Sequence, residues 1–411
     1  LVTTPESLTL LLSNPKAEFL FKNLDTVILD EWHELMGSKR GSQTELCLSW
    51  LRQQRPKLQT WAISATIGNL NQAARHALGT KCQPIMIGGA PARTTDIRSI
   101  FPETIDGFPW AGHLGLRMYE ELVAVLNPSV STLLFTNTRN QSERWHQCLR
   151  FACPEMEGAL ALHHSAIDRG ERESIESAVK VGDIRWVVCT SSLDLGVDFQ
   201  PVEQVVQIGS PKNLARLLQR AGRSAHVPGG TSKVLFMPTN ALELLELSAV
   251  RRGLEEGLVE QRKPPNAPLD VLLQHLTSLA CGPGFNPEQT LSSVRTSASY
   301  EHLSQADWDW SLMFLKDGGE CLGAYPRYKK LEWSTESDRF HIREKTIARL
   351  HRFNIGTITA APSITVRFVR GAVLGHVEET FISQLKPKDV FFFSGRQLEF
   401  IRLREMTAYV K

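Results

Sequence analysis

Seven cysteines are spread over 411 residues, and no two stand in C-x-x-C or in a Cys/His spacing that would hold zinc. The nearest pair, Cys148 and Cys153, is separated by a helix and its end, so reduced, buried thiols of a cytosolic protein are expected. No apolar run approaches the length of a membrane-spanning helix, and no signal peptide is visible. Charge of one sign is equally scarce: 46 Lys and Arg against 44 Asp and Glu leave a formal net charge of +2. Affinity for a polyanion therefore has to come from local basic faces, not from global charge. One more string is missing. G-x-x-x-x-G-K-[ST], the loop that wraps phosphates in backbone N–H groups, does not occur, and Gly79-Thr80-Lys81 has the wrong spacing and no upstream glycine partner.

What is present starts with Asp30-Glu31-Trp32-His33, directly after the apolar run Thr26-Val27-Ile28-Leu29. A buried strand ending in two carboxylates and a histidine puts them at the carboxyl edge of an α/β sheet, where such folds bind ligands. Asp30 is placed to hold Mg²⁺ through water, and Glu31, beside it, to orient and activate an attacking water. Ser64-Ala65-Thr66 ends a second apolar run, Trp61-Ala62-Ile63, and His33 is expected to relay the state of a phosphate to Ser64 and Thr66. Far downstream comes Gln219-Arg220-Ala221-Gly222-Arg223-Ser224-Ala225-His226. A guanidinium from a facing domain can stabilise a transferring phosphoryl group, so Arg220 and Arg223, with Gln219 beside them, complete the catalytic set. Their spacing predicts neighbouring positions on one helical turn, with Gly222 allowing close backbone approach. Three elements in this order are the layout of a nucleic-acid-dependent ATPase motor.

Strands alternating with helices predict a parallel sheet covered on both faces. The first segment reads as strand 26–29, helix 42–53, strand 60–65, helix 70–78 and strand 84–87. Gly88-Gly89-Ala90-Pro91 is a linker. A second α/β unit follows, with strands 131–136, 159–163, 185–190, 204–208 and 233–237 and helices 113–126, 140–151, 169–181 and 213–221. Two such units make tandem RecA-like domains, the first truncated. A helix over 241–256, the stiff Lys263–Pro268 stretch and short helices over 269–316 suit a winged helix. From 338 the pattern turns to β. The expected division is 1–90, 91–240, 241–335 and 336–411.

Other candidates sit at strand ends and helix starts. Thr190 and Ser191 follow the run Trp186–Cys189, and Thr138 and Arg139 end another strand; both pairs suit nucleic-acid phosphates. Thr4-Pro5-Glu6 would do a similar job in the first domain, with Pro5 opening a helix. Gly196 and Asp198 lie in Leu193-Asp194-Leu195-Gly196-Val197-Asp198, where Asp198 is placed to accept from the ribose hydroxyl of ATP or to contact an arginine. Trp308, Trp310, Trp333 and Phe353 are candidates for base stacking, with a core role favoured for each.

The runs Asp30–Gly37, Ser64–Leu70 and Ser191–Asp198, with Gly375–Phe381 and Phe393–Arg396, resemble the Lhr (large helicase-related) proteins of helicase superfamily 2, closest to the bacterial ligase-associated DEXH-box branch. The resemblance implies an ATP- and Mg²⁺-dependent motor that moves 3′ to 5′ on single-stranded DNA and unwinds tailed duplexes or hybrids in repair. It implies two RecA-like domains, a winged helix and a β-rich domain, in a monomeric bacterial cytosolic protein with DNA ligase and a repair nuclease as partners. It also implies that the chain is an internal piece beginning after the phosphate loop. His226 stands where many superfamily 2 enzymes carry an arginine finger, so the main finger role falls to Arg223, with Arg220 second. An RNA or hybrid helicase, or a non-hydrolysing nucleic-acid-binding module, remain the alternatives.

Overall fold

The computed structural model describes residues 1–64, 67–89, 95–102, 108, 110, 112, 114–194, 202–224, 231–325, 328–355, 363–404 and 406–411. The chain divides into two compact units: Leu1–Ile87 with Glu260–Thr359, and Gly88–Val259 with Ala360–Lys411.

In the first unit, strands β1 (Thr26–Leu29) and β2 (Gln59–Ala62) pair in parallel, from Thr26 opposite Gln59 to Leu29 opposite Ala62. Helix Lys39–Gln54 connects them, and helix Leu70–Leu78 follows. The strand expected over 84–87 does not form: Gln83–Gly89 has no regular structure, and Ile85 and Ile87 are 89% and 86% exposed. A strand exists only through a ladder, and among the described residues no strand lies beside this apolar run, in which Pro84 also lacks a donor. The later part of the unit holds helices Leu269–Cys281, Pro287–Val294 and Gln305–Asp317, the antiparallel hairpin Leu331–Ser334/Arg339–Ile342, and helix Lys345–Asn354. This is the winged helix. The reading of uninterrupted β structure from 338 is corrected by the last helix, whose apolar side carries the buried Ile347 and Ala348. One core runs through both parts, with Trp32, Met36, Leu46 and Leu48 packed in the same cluster as Leu272, Leu276, Leu279 and Trp308.

The second unit is built on six parallel strands in the order β3-β8-β7-β4-β6-β5: β3 (Thr95–Ser99), β4 (Thr132–Phe135), β5 (Leu160–His163), β6 (Trp186–Cys189), β7 (Gln204–Ile208) and β8 (Ser232–Met237). Every residue of β4 and β6 is buried, which is why these strands read as unbroken apolar runs. β3 has no sequence signal, because Thr95-Asp96-Ile97-Arg98-Ser99 is a half-buried edge strand and mostly polar. The helix expected over 113–126 is confined to Tyr119–Val125, after a 3₁₀ turn at Leu116–Met118. A five-stranded sheet completes the unit, in the order 373–378, 363–368, 407–410, 396–404, 390–393. It closes over its own core of Ile364, Val366, Phe391, Phe393, Phe400 and Val410, which Ala166 from the parallel-sheet part joins.

In each unit a buried glutamate of an α/β helix holds the later module. Glu45, 1% exposed, accepts Ser299 N–H at 2.9 Å, the Ser299 hydroxyl at 2.8 Å and His76 at 2.8 Å. Glu143, 4% exposed, accepts the backbone N–H of Ser394 and, at 2.8 Å, that of Gly395, with His164 Nε2 at 3.1 Å. Charge-assisted bonds of this kind offset the desolvation of the carboxylate.

Two histidines make the winged-helix part acid-sensitive. Burial alone drives His275 down to about 3 from its ordinary 6.5. Burial, with Lys330 and Arg352 adding, drives His351, which meets the Ser278 hydroxyl at 2.8 Å, to about 4. Both folded values lie below the unfolded one. The unfolded chain therefore takes up these protons first, and stability is lost as pH falls from 6.5 toward 3. Melting of the chain followed from pH 7.5 to 4.5 is expected to show that loss, and His275→Leu is expected to flatten the slope.

Candidate functional site

In the first unit the pairing of β1 and β2 continues past their ends, with Ile63 N–H donating to Leu29 and Trp32 N–H to Ile63 at 2.8 and 3.0 Å. That brings the carboxylate turn and the serine turn side by side. Glu31 adopts a left-handed backbone, φ 48°, and starts helix Trp32–Met36. A non-glycine residue there is strained, and such positions cluster at functional sites. Asp30 is exposed and its Oδ1 accepts Glu31 N–H at 2.9 Å; the Glu31 side chain is 40% exposed. Trp32 turns inward, and its indole N–H bonds the Ala73 carbonyl at 2.9 Å, fixing helix Leu70–Leu78 against the turn.

His33 is 1% exposed. Its Nδ1 lies 3.3 Å from Ser64 Oγ and 3.5 Å from Glu31 Oε2, and its Nε2 lies 3.5 Å from Glu34 Oε1. Burial lowers its pKa, outweighing the nearby Glu31 and Glu34. The ring is therefore neutral near pH 7 and can both donate to and accept from its neighbours. The oxygen donors of Asp30 and Glu31, adjacent and open to solvent at a strand end, suit a hard divalent cation. Thr66 lies outside the described residues. At the start of the unit Thr4 caps helix Pro5–Leu12 by accepting Ser7 N–H at 3.3 Å, and Pro5 occupies its first turn. Glu6 is committed to Arg40 at 2.6 and 3.2 Å, and that guanidinium lowers its pKa.

In the second unit the strand ends form one edge. β4 lies between β6 and β7, so Thr138 and Arg139 share the carboxyl edge with Thr190 and Ser191. Thr138 caps helix Arg139–Ala152, accepting Gln141 N–H at 3.1 Å, while Arg139 is exposed with Nη2 3.4 Å from Ser165. Thr190 is buried and Ser191 exposed. Next to them His163, buried and shifted down chiefly by burial, bonds Ser192 at 2.8 Å and Glu176 at 3.1 Å.

The two arginines part company. Arg220 is 1% exposed; its guanidinium meets Asp194 at 2.8 and 3.3 Å and Gln207 Oε1 at 2.6 Å, and lies 4.7 Å over the Phe135 ring. So enclosed, it has no open face for a nucleotide, and the direct contact expected of Arg220 is corrected to a buried tie. Arg223 falls beyond helix Leu214–Ala221, in a 3₁₀ turn over Gly222–Ser224, half-buried, with Nη2 donating to the Asp194 carbonyl at 2.9 Å. Gly222 is in helical conformation, and a Cβ there would meet nothing within 4 Å among the described residues. Gln219 is half-buried in the last turn of that helix. Gly196, Asp198 and His226 lie outside the described residues.

Sequence reasoning passed over Asp194, where these groups converge: Arg220, Arg216 at 3.5 Å, and Arg223 through the backbone. The signal was available in Gln207, a polar residue inside the apolar strand Gln204–Ile208. A buried amide needs a partner, and its partner is Arg220. Asp194→Ala strands that guanidinium, and urea unfolding of the chain is expected to lose about 3–5 kcal/mol.

Three family models match in order along the chain: DEAD/DEAH box helicase over residues 1–73, helicase conserved C-terminal domain over 117–227, and large helicase-related protein, winged helix domain, over 252–411. The ATP-dependent helicase Lhr-Core protein 2 of Thermococcus barophilus is 32% identical over 100% of this chain and 48% of its own length. The Lhr helicase/uracil glycosylase of Escherichia coli is 30% identical over 82% of this chain and 25% of its own. The chain thus spans about half, or less, of the curated relatives it matches. Among solved structures, Mycobacterium smegmatis helicase Lhr bound to ssDNA and AMP-PNP superposes with a TM-score of 0.74 at 26% identity, covering 87% of this chain and 46% of that one. Helicase MrfA bound to DNA superposes with a TM-score of 0.74 at 19% identity, over 99% of this chain and 56% of that one, a likeness of fold. With its DExH turn, its paired motor folds and its winged helix, the chain belongs to the Lhr family of superfamily 2 helicases.

Proposed function

We propose that this chain supplies part of an ATP-driven motor that travels 3′ to 5′ on single-stranded DNA and separates tailed duplexes during DNA repair in the bacterial cytosol. The observation that carries the reading is the turn Asp30–His33: two solvent-facing carboxylates on a strained strand end, backed by a buried neutral histidine 3.3 Å from Ser64. Asp30 and Glu31 are the residues to hold Mg²⁺, which supplies charge neutralisation on the phosphates when bound. Glu31 accepts a proton from the attacking water. His33 holds Ser64 and stands ready to pass a change at Glu31 on to it and to Thr66. Arg223 stabilises charge on the transferring phosphoryl group, and Arg220 positions it through Asp194. Gly196 and Asp198 take part in nucleotide binding, with Gln219 and His226 beside the finger.

Thr138, Arg139, Thr190 and Ser191 hold the strand's phosphates along one sheet edge, and Thr4, Pro5 and Glu6 shape the equivalent helix start in the first unit. Hydroxyls and helix N-termini suit that task. Single-stranded DNA is favoured as the track because the mycobacterial Lhr was solved with it. A DNA ligase and a repair nuclease are the partner classes that fit this role.

In the full-length protein, Glu31→Gln is expected to lower DNA-stimulated ATP hydrolysis by about 10²-fold or more, with single-strand affinity within about twofold of wild type on salt-matched titration. Survival of turnover would remove Glu31 from the role. Duplexes with a 3′ tail are expected to unwind and those with a 5′ tail to stay closed; matched DNA and RNA–DNA hybrid duplexes, run in parallel, decide the sugar preference.

A further inference from the structure

The chain passes from the second unit to the first at Val259/Glu260, and the first residues it reaches are held by the motif-bearing turns. Gly68 N–H donates to the Glu260 carbonyl at 3.4 Å. Asn69 reads the backbone of Arg262 as a neighbouring strand would. Its Nδ2 donates to the Arg262 carbonyl at 2.8 Å, and Arg262 N–H donates to its Oδ1 at 3.1 Å. The Arg262 side chain lies along the DExH helix, with Nη2 3.4 Å from Glu34 Oε1 and Cδ 3.9 Å from where a Cβ on Gly37 would stand. Glu34 in turn lies 3.5 Å from the buried His33 ring.

Asn69 stands at the N-cap of helix Leu70–Leu78 and makes no capping bond with its side chain. Asparagine is favoured at that position for the bond it makes to the helix's own N–H groups. Here both ends of the amide are turned to the incoming segment instead, Nδ2 also reaching Gln72 Oε1 at 2.6 Å. A residue that gives up capping to grip a crossing segment holds that segment in register.

We propose that Asn69 and Arg262 are positioning residues that link the carboxylate and serine turns to the irregular segment joining the two units, coupling events at Glu31, His33 and Ser64 to displacement of the nucleic-acid strand. The inference rests on the motor reading above. Asn69→Ala removes both backbone bonds; Arg262→Ala keeps them and removes only the pair with Glu34; Arg262→Lys keeps the charge. In the full-length protein, DNA-stimulated ATP hydrolysis and 3′-tailed duplex displacement are measured together, and base pairs opened per ATP are compared.

Asn69→Ala is expected to keep kcat and KM for ATP within about twofold while base pairs per ATP fall at least about fivefold. Arg262→Ala is expected to fall less, and Arg262→Lys to recover toward wild type. Melting of each variant of the 411-residue chain separates coupling from misfolding, since a purely structural role lowers melting temperature, hydrolysis and displacement together. Hydrolysis and displacement lost in equal proportion, or displacement per ATP unchanged in Asn69→Ala, would overturn the link alone. A wild type without nucleic-acid-stimulated hydrolysis would remove the motor reading, and this link with it.

Discussion

A carboxylate taken out of water must be satisfied by whatever surrounds it, and this protein uses that demand to hold its parts together. Glu45 draws in Ser299 and His76; Glu143 draws in Ser394, Gly395 and His164. Glu243 of helix Leu242–Glu255, which belongs to the second unit and not with the winged helix, does the same beside the parallel sheet, accepting Ser210 N–H at 3.0 Å and Thr239 N–H at 2.6 Å. In each case an α/β helix offers the acid and another element offers backbone N–H groups. Apolar packing alone would tolerate sliding; a charge with directed donors does not. The winged helix is thereby fastened within the first unit and the β-rich sheet within the second.

That rigidity frames the chemistry. The strand ends carry turns whose side chains stay open to solvent, as Asp30, Arg139 and Ser191 do. Behind two of these turns, and behind the 3₁₀ turn of Arg223, sits a buried polar group that is engaged: His33 behind Glu31, His163 behind Ser191, Asp194 behind Arg223. Polar groups at the edge are thus held by partners that are themselves out of water. Arg220 shows how a motif divides its labour. Of two arginines three apart, one is spent on Asp194 and Gln207 so that the turn bearing the other keeps its place.

The α/β plan was legible because buried parallel strands are largely apolar runs, as 204–208 is at its expected limits; 26–29 also stands at its expected limits, but of its four residues only Leu29 is buried, so the reading of it as a buried strand is corrected. The motif turns were legible because their polar residues follow such runs directly. Edge strands were not: Thr95–Ser99 carries little apolar signal and depends on pairing with Ser232–Phe236. Conversely, Ile85-Met86-Ile87 has the signal and no ladder. The buried carboxylates were invisible because Glu45 and Glu143 stand in their helices as ordinary charged residues, and the backbone donors that meet them are more than 250 residues away. Of the four aromatic residues singled out, Trp308 is core, at 2% exposure, while Phe353 is 73% exposed.

The hairpin formed by 390–393 and 396–404 turns through two residues, Ser394 and Gly395, both with positive φ of 54° and 70°. Such a turn matches the twist of the strands it joins. In most proteins its tip faces water and is the most forgiving place on the fold, open to added residues and to nicking. Here the tip is plugged: its two amides are consumed by Glu143, and a Cβ on Gly395 would stand 2.9 Å from the His146 ring. This two-residue loop of the β-rich sheet is therefore a site where length cannot drift. Loss of the glutamate would release the turn to lengthen, and an added residue in the turn would leave the glutamate buried without its donors.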